Sequence, residues 1–240
     1  MNFGIIAAGD GSRLASEGVA LPKPLVEVGG KPMILRLLDI MTGYAPERIV
    51  VCVNEYMTEV LERLKSYTPA GDTHLIIKVR TTPSSMHTFK EIAEELRGRG
   101  RFIATTVDTI FDPEAFDSYV RGWEEAPEGV DALMAVTDFI DDEKPLYVAV
   151  EGENLNVTAF LDNPAEGVKY VSGGIYGLSD AAVEVLDDCL AAGVARMRNF
   201  QRALTGAGLD VRAWPMGKIM DIDHADDIAK ANRFLNRQSV

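Results

Sequence analysis

A buried strand that breaks into two glycines and then meets two basic residues constrains this chain more than any other stretch. Phe3-Gly4-Ile5-Ile6-Ala7-Ala8 is apolar and strand-length, and it runs into Gly9-Asp10-Gly11-Ser12-Arg13-Leu14 and on to Pro22-Lys23-Pro24-Leu25. Gly9, Gly11 and Ser12 leave little side chain around the turn, so successive backbone N–H groups can converge on an anion. Arg13 adds a planar fork of donors, and Lys23 adds a point charge on a backbone stiffened by proline on both sides. The stretch therefore predicts a triphosphate cradle. Asp10 fits it poorly, because a carboxylate beside a triphosphate is repelled unless it points outward or faces a metal. The dinucleotide fingerprint G-x-G-x-x-G is absent, with Leu14 in place of its third glycine, and so is the Walker A spacing.

Downstream, helical and strand patterns alternate. Met33, Ile34, Leu37, Leu38 and Met41 recur at helical spacing behind Pro32, and Gly43 and Pro46 close that helix. Residues 48–53 read as a second strand, 55–66 as a helix, 75–79 as a third strand, 86–96 as a helix and 101–108 as a fourth strand. Strands separated by helices imply a parallel sheet with crossovers, and ligands gather at the carboxyl ends of such strands. That rule singles out Ser84 and Ser85, in the hydroxyl-rich loop 81–88, as nucleotide contacts; capping of the next helix is their competing role. His87 shares the loop. Asp108 ends strand four, where a buried carboxylate needs a cation or donors, and Asp112 before Pro113 reads as an N-cap. Three short strands between 132 and 160 suggest antiparallel extensions that wall one side of a pocket. In the extended run before the last helix, Asp221 and Asp223 point to one face and could address one cation. Asp226 and Asp227 suit the dipole of that helix, and His224 reads as a turn residue.

With 240 residues and no visible boundary, 1–240 is expected to form a single domain. The net charge of −13 argues against nucleic acid or an anionic membrane surface as a partner, and it makes basic residues gathered beside glycines the natural seat for an anionic substrate. Cys52 and Cys189 fall in different kinds of element and read as core residues rather than a disulfide or zinc site. No apolar stretch approaches the ~20 residues of a membrane span, and the N-terminus opens on a strand without a basic and apolar leader, so a cytoplasmic location is expected.

The compound motif from Ala7 to Leu14 followed by Pro22-Lys23-Pro24-Leu25 resembles the signature of the sugar nucleotidyltransferases, the nucleoside-diphosphate-sugar pyrophosphorylase family. The resemblance implies a Rossmann-like three-layer α/β/α fold with a mixed sheet, of the nucleotide-diphospho-sugar transferase type (GT-A-like). It implies nucleotide contacts from Ala7, Ala8, Gly9, Gly11, Ser12, Arg13 and Lys23, with the last two catalytic. It places the first magnesium ligand at Asp108, with Asp221 and Asp223 as the second arm, and three oxygen ligands without a thiolate favour Mg²⁺. Gly173 and Gly174 lie in a run similar to the family's Gly-Ile-Tyr strand, where the acceptor would approach the backbone. Many relatives carry an acidic-Lys-Pro motif whose lysine meets the acceptor's phosphate, whereas this chain reads Leu161-Asp162-Asn163-Pro164. Lys169 is then the candidate for the missing charge, or the acceptor is held differently.

The implied reaction moves a nucleoside monophosphate from a nucleoside triphosphate to a phosphorylated acceptor, a sugar 1-phosphate or a phospho-alcohol, with release of pyrophosphate. The acceptor's phosphate oxygen is already anionic, so no general base is required, and alignment and charge stabilisation carry the step. A metal-dependent glycosyltransferase would explain the acids but leave Arg13 and Pro22-Lys23-Pro24 without a task. A catalytically silent nucleotide-binding regulatory module would leave Asp108, Asp221 and Arg13 idle. A molybdopterin-type nucleotidyltransferase shares the first motif.

Overall fold

The computed structural model describes residues 1–236, and its elements follow the chain in this order. The first part contains β1 (Asn2–Ala7), α1 (Ser12–Ser16), β2 (Glu27–Val28), β3 (Lys31–Pro32), α2 (Met33–Thr42), β4 (Arg48–Val53), α3 (Thr58–Ser66), β5 (His74–Val79), α4 (Ser85–Leu96) and β6 (Phe102–Thr106). Then come β7 (Thr109–Phe111), α5 (Pro113–Glu124), β8 (Ala132–Thr137), β9 (Tyr147–Glu151), β10 (Asn156–Leu161) and β11 (Tyr170–Leu178). The described chain closes with α6 (Asp180–Ala191), α7 (Met197–Gly206), β12 (Val211–Pro215), β13 (Ile219–Asp221) and α8 (Ala225–Asn236).

Nine strands form one mixed sheet in the order β5-β4-β1-β6-β11-β8-β12-β10-β9. The first four run parallel, and β11 is antiparallel to both β6 and β8. Chain order runs outward from β1 to β4 and β5, then jumps back to place β6 on the other side of β1. The loops after β1 and β6 therefore diverge and leave a crevice at the strands' carboxyl ends, the place where such sheets bind ligands. The expected antiparallel extension is present in β9 and β10, while β8 also pairs in parallel with β12.

Helices cover both faces. One core gathers Phe89 of α4, Leu186 of α6 and Phe200 of α7 against the sheet, and the opposite core gathers Leu37 of α2, Val60 of α3 and Trp123 of α5. A smaller cluster joins Leu14, Val28, Ile222 and Leu235, so α8 packs over the segment that follows the glycine turn. The buried aromatics bring their polar tips to backbone acceptors: Tyr119 donates to the Leu133 carbonyl (2.7 Å) and Trp123 to that of Phe102 (3.2 Å). Cys52 and Cys189 are buried and unbridged, and burial pushes the Cys52 thiol up to about 11. No helix among the described residues is long and apolar enough to cross a membrane.

Two local expectations shift. The helix expected from 55 begins only at Thr58, because Asn54 Oδ1 accepts from the N–H of Tyr56 (3.0 Å) and holds residues 54–57 in a turn. Ser12, expected within the turn, instead opens a short helix, residues 12–16, that buries Leu14.

Candidate active site

The glycine turn leaves β1 at the crevice. Gly11 sits in the left-handed region (φ 64°), and a Cβ there would lie 2.9 Å from Cβ of Lys23, so this residue must be glycine both for its conformation and for the approach of Lys23. Asp10 turns onto its own loop, its Oδ1 accepting from the N–H of Ser12 at 3.2 Å. The cavity beside this turn measures about 650 Å³ and is lined by Ala8, Gly9, Gly11, Ser12, Arg13, Lys23, Ser84, Ser85 and Asp108 together with Asn54 and Thr82. Ala7 does not line it. Alternation along β1 turns Ala7, 1% exposed, into the α2–α3–α5 core, whereas Ile6 and Ala8 face the other way. The Ser84 hydroxyl does not cap α4 but meets His87 Nδ1 at 2.9 Å. Ser85 stands where two cavities join.

At the crevice floor, charge is concentrated. Lys23 Nζ forms an ion pair with Asp108 Oδ2 and another, 2.7 Å long, with Asp223 Oδ1, while Arg13 reaches Asp223 Oδ2 at 2.6 Å. Burial pulls Lys23 down, but Asp108 and Asp223 outweigh it and hold the ammonium above the ordinary lysine range. Asp108 is the mirror case: burial raises it, and Lys23 more than reverses that, leaving it below the usual carboxylate range. Asp221 arrives from β13, whose ladder with β7 sets it opposite Thr109, and the Ile222 N–H bonds the Asp108 carbonyl at 3.2 Å. Thr109 Oγ1 donates to Asp221 Oδ1 at 3.3 Å. Crowding by protein first and the charge of Asp108 next push the Asp221 carboxyl well above its ordinary value, although the residue keeps an exposed face on the cavity.

Asp223 shares a cavity with Asp221 and adds its charge to that on it, but both of its own oxygens are engaged elsewhere. The strand ends at Asp221, alternation lapses, and the Asp223 carboxylate is taken up by Arg13 and Lys23. Among the described residues no three acidic, histidine or cysteine side chains converge closely enough to enclose a metal. Asp227 behaves as a helix-start residue, its Oδ2 accepting from the N–H groups of Asp223 (3.2 Å) and His224 (2.9 Å). His224 is more than a turn residue: its Nδ1 meets Glu17 Oε1 at 2.5 Å, and Glu17 Oε2 takes the Ala225 N–H at 2.7 Å, which straps α8 to the end of α1.

A second cavity of about 350 Å³ continues from Thr106, Asp108 and Asp221 toward Lys144, Ser172, Gly174, Arg196 and Gln201. Gly174 (φ 73°) belongs to an irregularity in β11, where register slips between Ser172 and Tyr176. A Cβ on it would meet Thr109 Oγ1 at 2.7 Å and Thr106 Oγ1 at 3.0 Å, and one on Gly173 would collide with Ile219. Gly174 borders this cavity and Gly173 a neighbouring one of about 270 Å³ on the other side of Asp221, yet the space they vacate is filled by protein: they let β11 close against Thr106, Thr109 and Ile219.

Lys169 stands apart from this wall. It is exposed, its ammonium lies 4.7 Å from the Tyr170 ring centre, and it lines neither cavity. Asp162, beside the missing lysine, is held by Arg198 and Arg202, each at 2.7 Å. The cations that line the cavity are Lys144, Arg196 and Arg198, the last paired with Asp162, and sequence reasoning missed them because they come from a loop and a helix start far apart in the chain. A signal was present: three arginines, at 196, 198 and 202, within seven residues of an acidic chain. Arg196 holds a left-handed φ of 77°, a costly conformation for a residue with a side chain.

Comparison with known proteins fits this geometry. The structure of the inositol-1-phosphate CTP transferase from T. maritima matches with a TM-score of 0.76 at 16% identity, over 98% of this chain and 94% of that one, which shows a shared fold. The mannose-1-phosphate guanyltransferase of Yarrowia lipolytica is 26% identical over 189 residues, covering 76% of this chain and 50% of that protein. The bifunctional IPC transferase and DIPP synthase of Archaeoglobus fulgidus is 26% identical over 241 residues, covering 98% of this chain and 44% of that protein. The chain thus spans about half the length of the curated relatives it matches. A family model described as a MobA-like NTP transferase domain matches residues 4–165, which include the glycine turn, Lys23 and Asp108. With more than half of its residues under that match, the chain belongs to the family of MobA-like NTP transferase domains.

Proposed function

We propose that this protein transfers a nucleoside monophosphate from a nucleoside triphosphate to a phosphorylated small-molecule acceptor, releasing pyrophosphate, and that residues 1–240 act as one nucleotidyltransferase domain. The observation that carries this reading is Lys23, clamped between Asp108 and Asp223 beside Arg13, at the junction of a glycine-lined cavity with a second polar one. Two substrates have two seats, and charge is concentrated where they meet.

The acceptor's phosphate oxygen attacks the α-phosphorus, the bond to the β-phosphate oxygen breaks, and pyrophosphate leaves with the electron pair. Arg13 and Lys23 hold the negative charge that grows on the departing pyrophosphate, exchanging their contacts with Asp223 for phosphate oxygens. The turn at Gly9 and Gly11 presents backbone to the phosphates at close range. Ser84 and Ser85 face the nucleotide from the opposite wall.

The donor set suits a magnesium ion. Asp108 and Asp221 are hard oxygen donors, and the charge of Asp108 adds to burial in raising the Asp221 carboxyl, so the two carboxylates act on one point. Mg²⁺ would be held by these two carboxylates, where it would neutralise phosphate charge; Asp223 serves Arg13 and Lys23 instead.

The test is pyrophosphate release with each nucleoside triphosphate against a panel of sugar and polyol phosphates, with magnesium. Arg13→Ala should lower turnover by at least a hundredfold while nucleotide affinity changes little. Equal turnover in that variant would remove Arg13 from the reaction, and no release with any pair would overturn the proposed activity.

A further inference from the structure

The sheet ends on β5 with one side of that strand unpaired. β5 is six residues long, His74-Leu75-Ile76-Ile77-Lys78-Val79, and among the described residues it pairs with no strand but β4. His74 and Arg80 donate their N–H groups to the carbonyls of Glu47 and Val53, both at 2.9 Å, so the even-numbered residues turn their backbone groups inward. Alternation then points the N–H and C=O groups of Leu75, Ile77 and Val79 out along the free edge. Natural sheets blunt such an edge with a proline, a bulge, a very short strand or a charge standing over it. β5 has none of these: its ladder with β4 is regular, it holds no proline, and Lys78 is folded onto α4, with its ammonium 3.2 Å from Glu95 and 3.7 Å from Glu91. The opposite end of the sheet is different, because β9 also pairs with β11 through Tyr147 and Val148 and lies against a bulge in β10.

The charges that flank β5 define what would cover it. Asp72, just before the strand, is exposed and in no ion pair among the described residues. Arg80, just after it, is 61% exposed, lies along the edge by donating to the Val79 carbonyl at 3.1 Å, and approaches Glu91 only at 3.9 Å. One strand thus carries a free acid at one end and a loosely held base at the other, so an antiparallel copy of the same strand is complementary to it. Free-edge residues must face free-edge residues, which leaves Leu75, Ile76 or Ile77 to lie on the two-fold axis. With Ile77 there, His74 would face Arg80. With Leu75 there, Asp72 would face Lys78, whose charge is already taken, and Arg80 would face Ala70. With Ile76 there, Asp72 of each copy faces Arg80 of the other, Leu75 faces Ile77, and His74 faces the engaged Lys78.

We infer that this protein forms a two-fold dimer in which the β5 edges of two copies pair antiparallel with Ile76 on the axis. Leu75 of each copy exchanges two backbone hydrogen bonds with Ile77 of the other, two Asp72–Arg80 ion pairs close the ends, and the two sheets become one. β5 runs straight into Thr81 and Thr82, which line the cavity beside the glycine turn, so each end of the interface borders that cavity.

The test is the mass of the full chain by sedimentation equilibrium over micromolar to submillimolar concentrations, where twice the 26.2 kDa of one chain is expected. Asp72→Arg turns two attractions into two repulsions and should weaken the dimer about tenfold, and adding Arg80→Asp to it should restore the affinity. Both positions are exposed, so the melting midpoint should stay at the wild-type value in these variants. The register is read by oxidation with diamide in a Cys52→Ala background. Facing residues of a non-hydrogen-bonded pair lie about 4.5 Å apart between Cα atoms, within disulfide reach, so Ile76→Cys should give a covalent dimer on a non-reducing gel. A single-chain mass throughout, which would leave the edge to solvent or to another protein, would overturn the inference. So would an Asp72→Arg dimer as tight as wild type, no restoration in the double variant, or a covalent dimer from Ile77→Cys in place of Ile76→Cys.

Discussion

Removing the charge of Lys23 tests the central cluster most directly. Lys23→Met keeps the stem and deletes an ammonium whose side chain is 13% exposed between Asp108, 19% exposed, and Asp223. Breaking a buried pair by deleting one partner costs roughly 3–5 kcal/mol, because the remaining charge is stranded. Residual exposure here, and proton uptake by Asp108 itself, reduce that to about 2–4 kcal/mol. For a chain of this size each kcal/mol moves the melting midpoint by about 2–4 °C, so the variant should melt roughly 4–16 °C lower. Two further melts separate stranded charge from lost packing. Lys23→Met with Asp108→Asn should regain at least half of the loss, since the stranded carboxylate is gone. Magnesium should raise the midpoint of Lys23→Met more than that of wild type, because two carboxylates then lack their lysine. A midpoint within 2 °C of wild type, or a double variant no more stable than the single one, would refute the reasoning.

Other expectations follow from single contacts. Gly174→Ala combines a left-handed φ of 73° with a Cβ 2.7 Å from Thr109 Oγ1; it should cost about 1–3 kcal/mol and lower nucleotidyl transfer at least tenfold with nucleotide affinity unchanged, as read by melting and steady-state kinetics. Arg101 donates to the carbonyls of Trp123, Ala126, Pro127 and Val130, with its guanidinium 4.4 Å from the Trp123 ring centre. Arg101→Met should therefore lower the urea midpoint by the equivalent of about 2–4 kcal/mol, and Arg101→Lys should recover less than half because a point charge cannot span the fork. Burial raises Asp187, but hydrogen bonds from Lys90 (2.6 Å) and Arg97 (2.5 Å) outweigh it and hold the carboxyl below the ordinary range. A depressed carboxyl stabilises the fold above its unfolded value of about 4, and the contribution fades as pH falls through the folded value. Asp187→Asn should thus melt below wild type at pH 7 and converge with it as the pH approaches about 2.

Local pattern made most of the α/β framework legible. The strand-and-glycine stretch, the helix on Met33 and the buried strands near 49 and 103 are each specified by residues close in sequence, and each forms where expected. Asp112 caps α5 through the N–H of Glu114 at 2.8 Å, another interaction two residues long. Where the reading slipped, a non-local contact or a short polar turn had overruled propensity. Asn54 delays α3 through its own turn, and Asp223 leaves the strand pattern because two cations from residues 13 and 23 claim it.

The composition of the site was written in the chain, since glycines beside Arg13 and Lys23, and acids at 108 and 221, are residue types whose chemistry is apparent wherever they lie. Their arrangement was not. Whether Lys169 or Arg196 reaches the second cavity depends on how a β10–β11 turn and the start of α7 fold across the sheet. That Gln201 faces a cavity follows from α7 packing on β10 and meeting Ser172 of β11, and nothing in the local sequence distinguishes an amide in a core from one on a cavity wall. Sequence periodicity sets which residues share a face of one element. Only tertiary packing, which sums contacts between elements far apart in the chain, decides what each face meets.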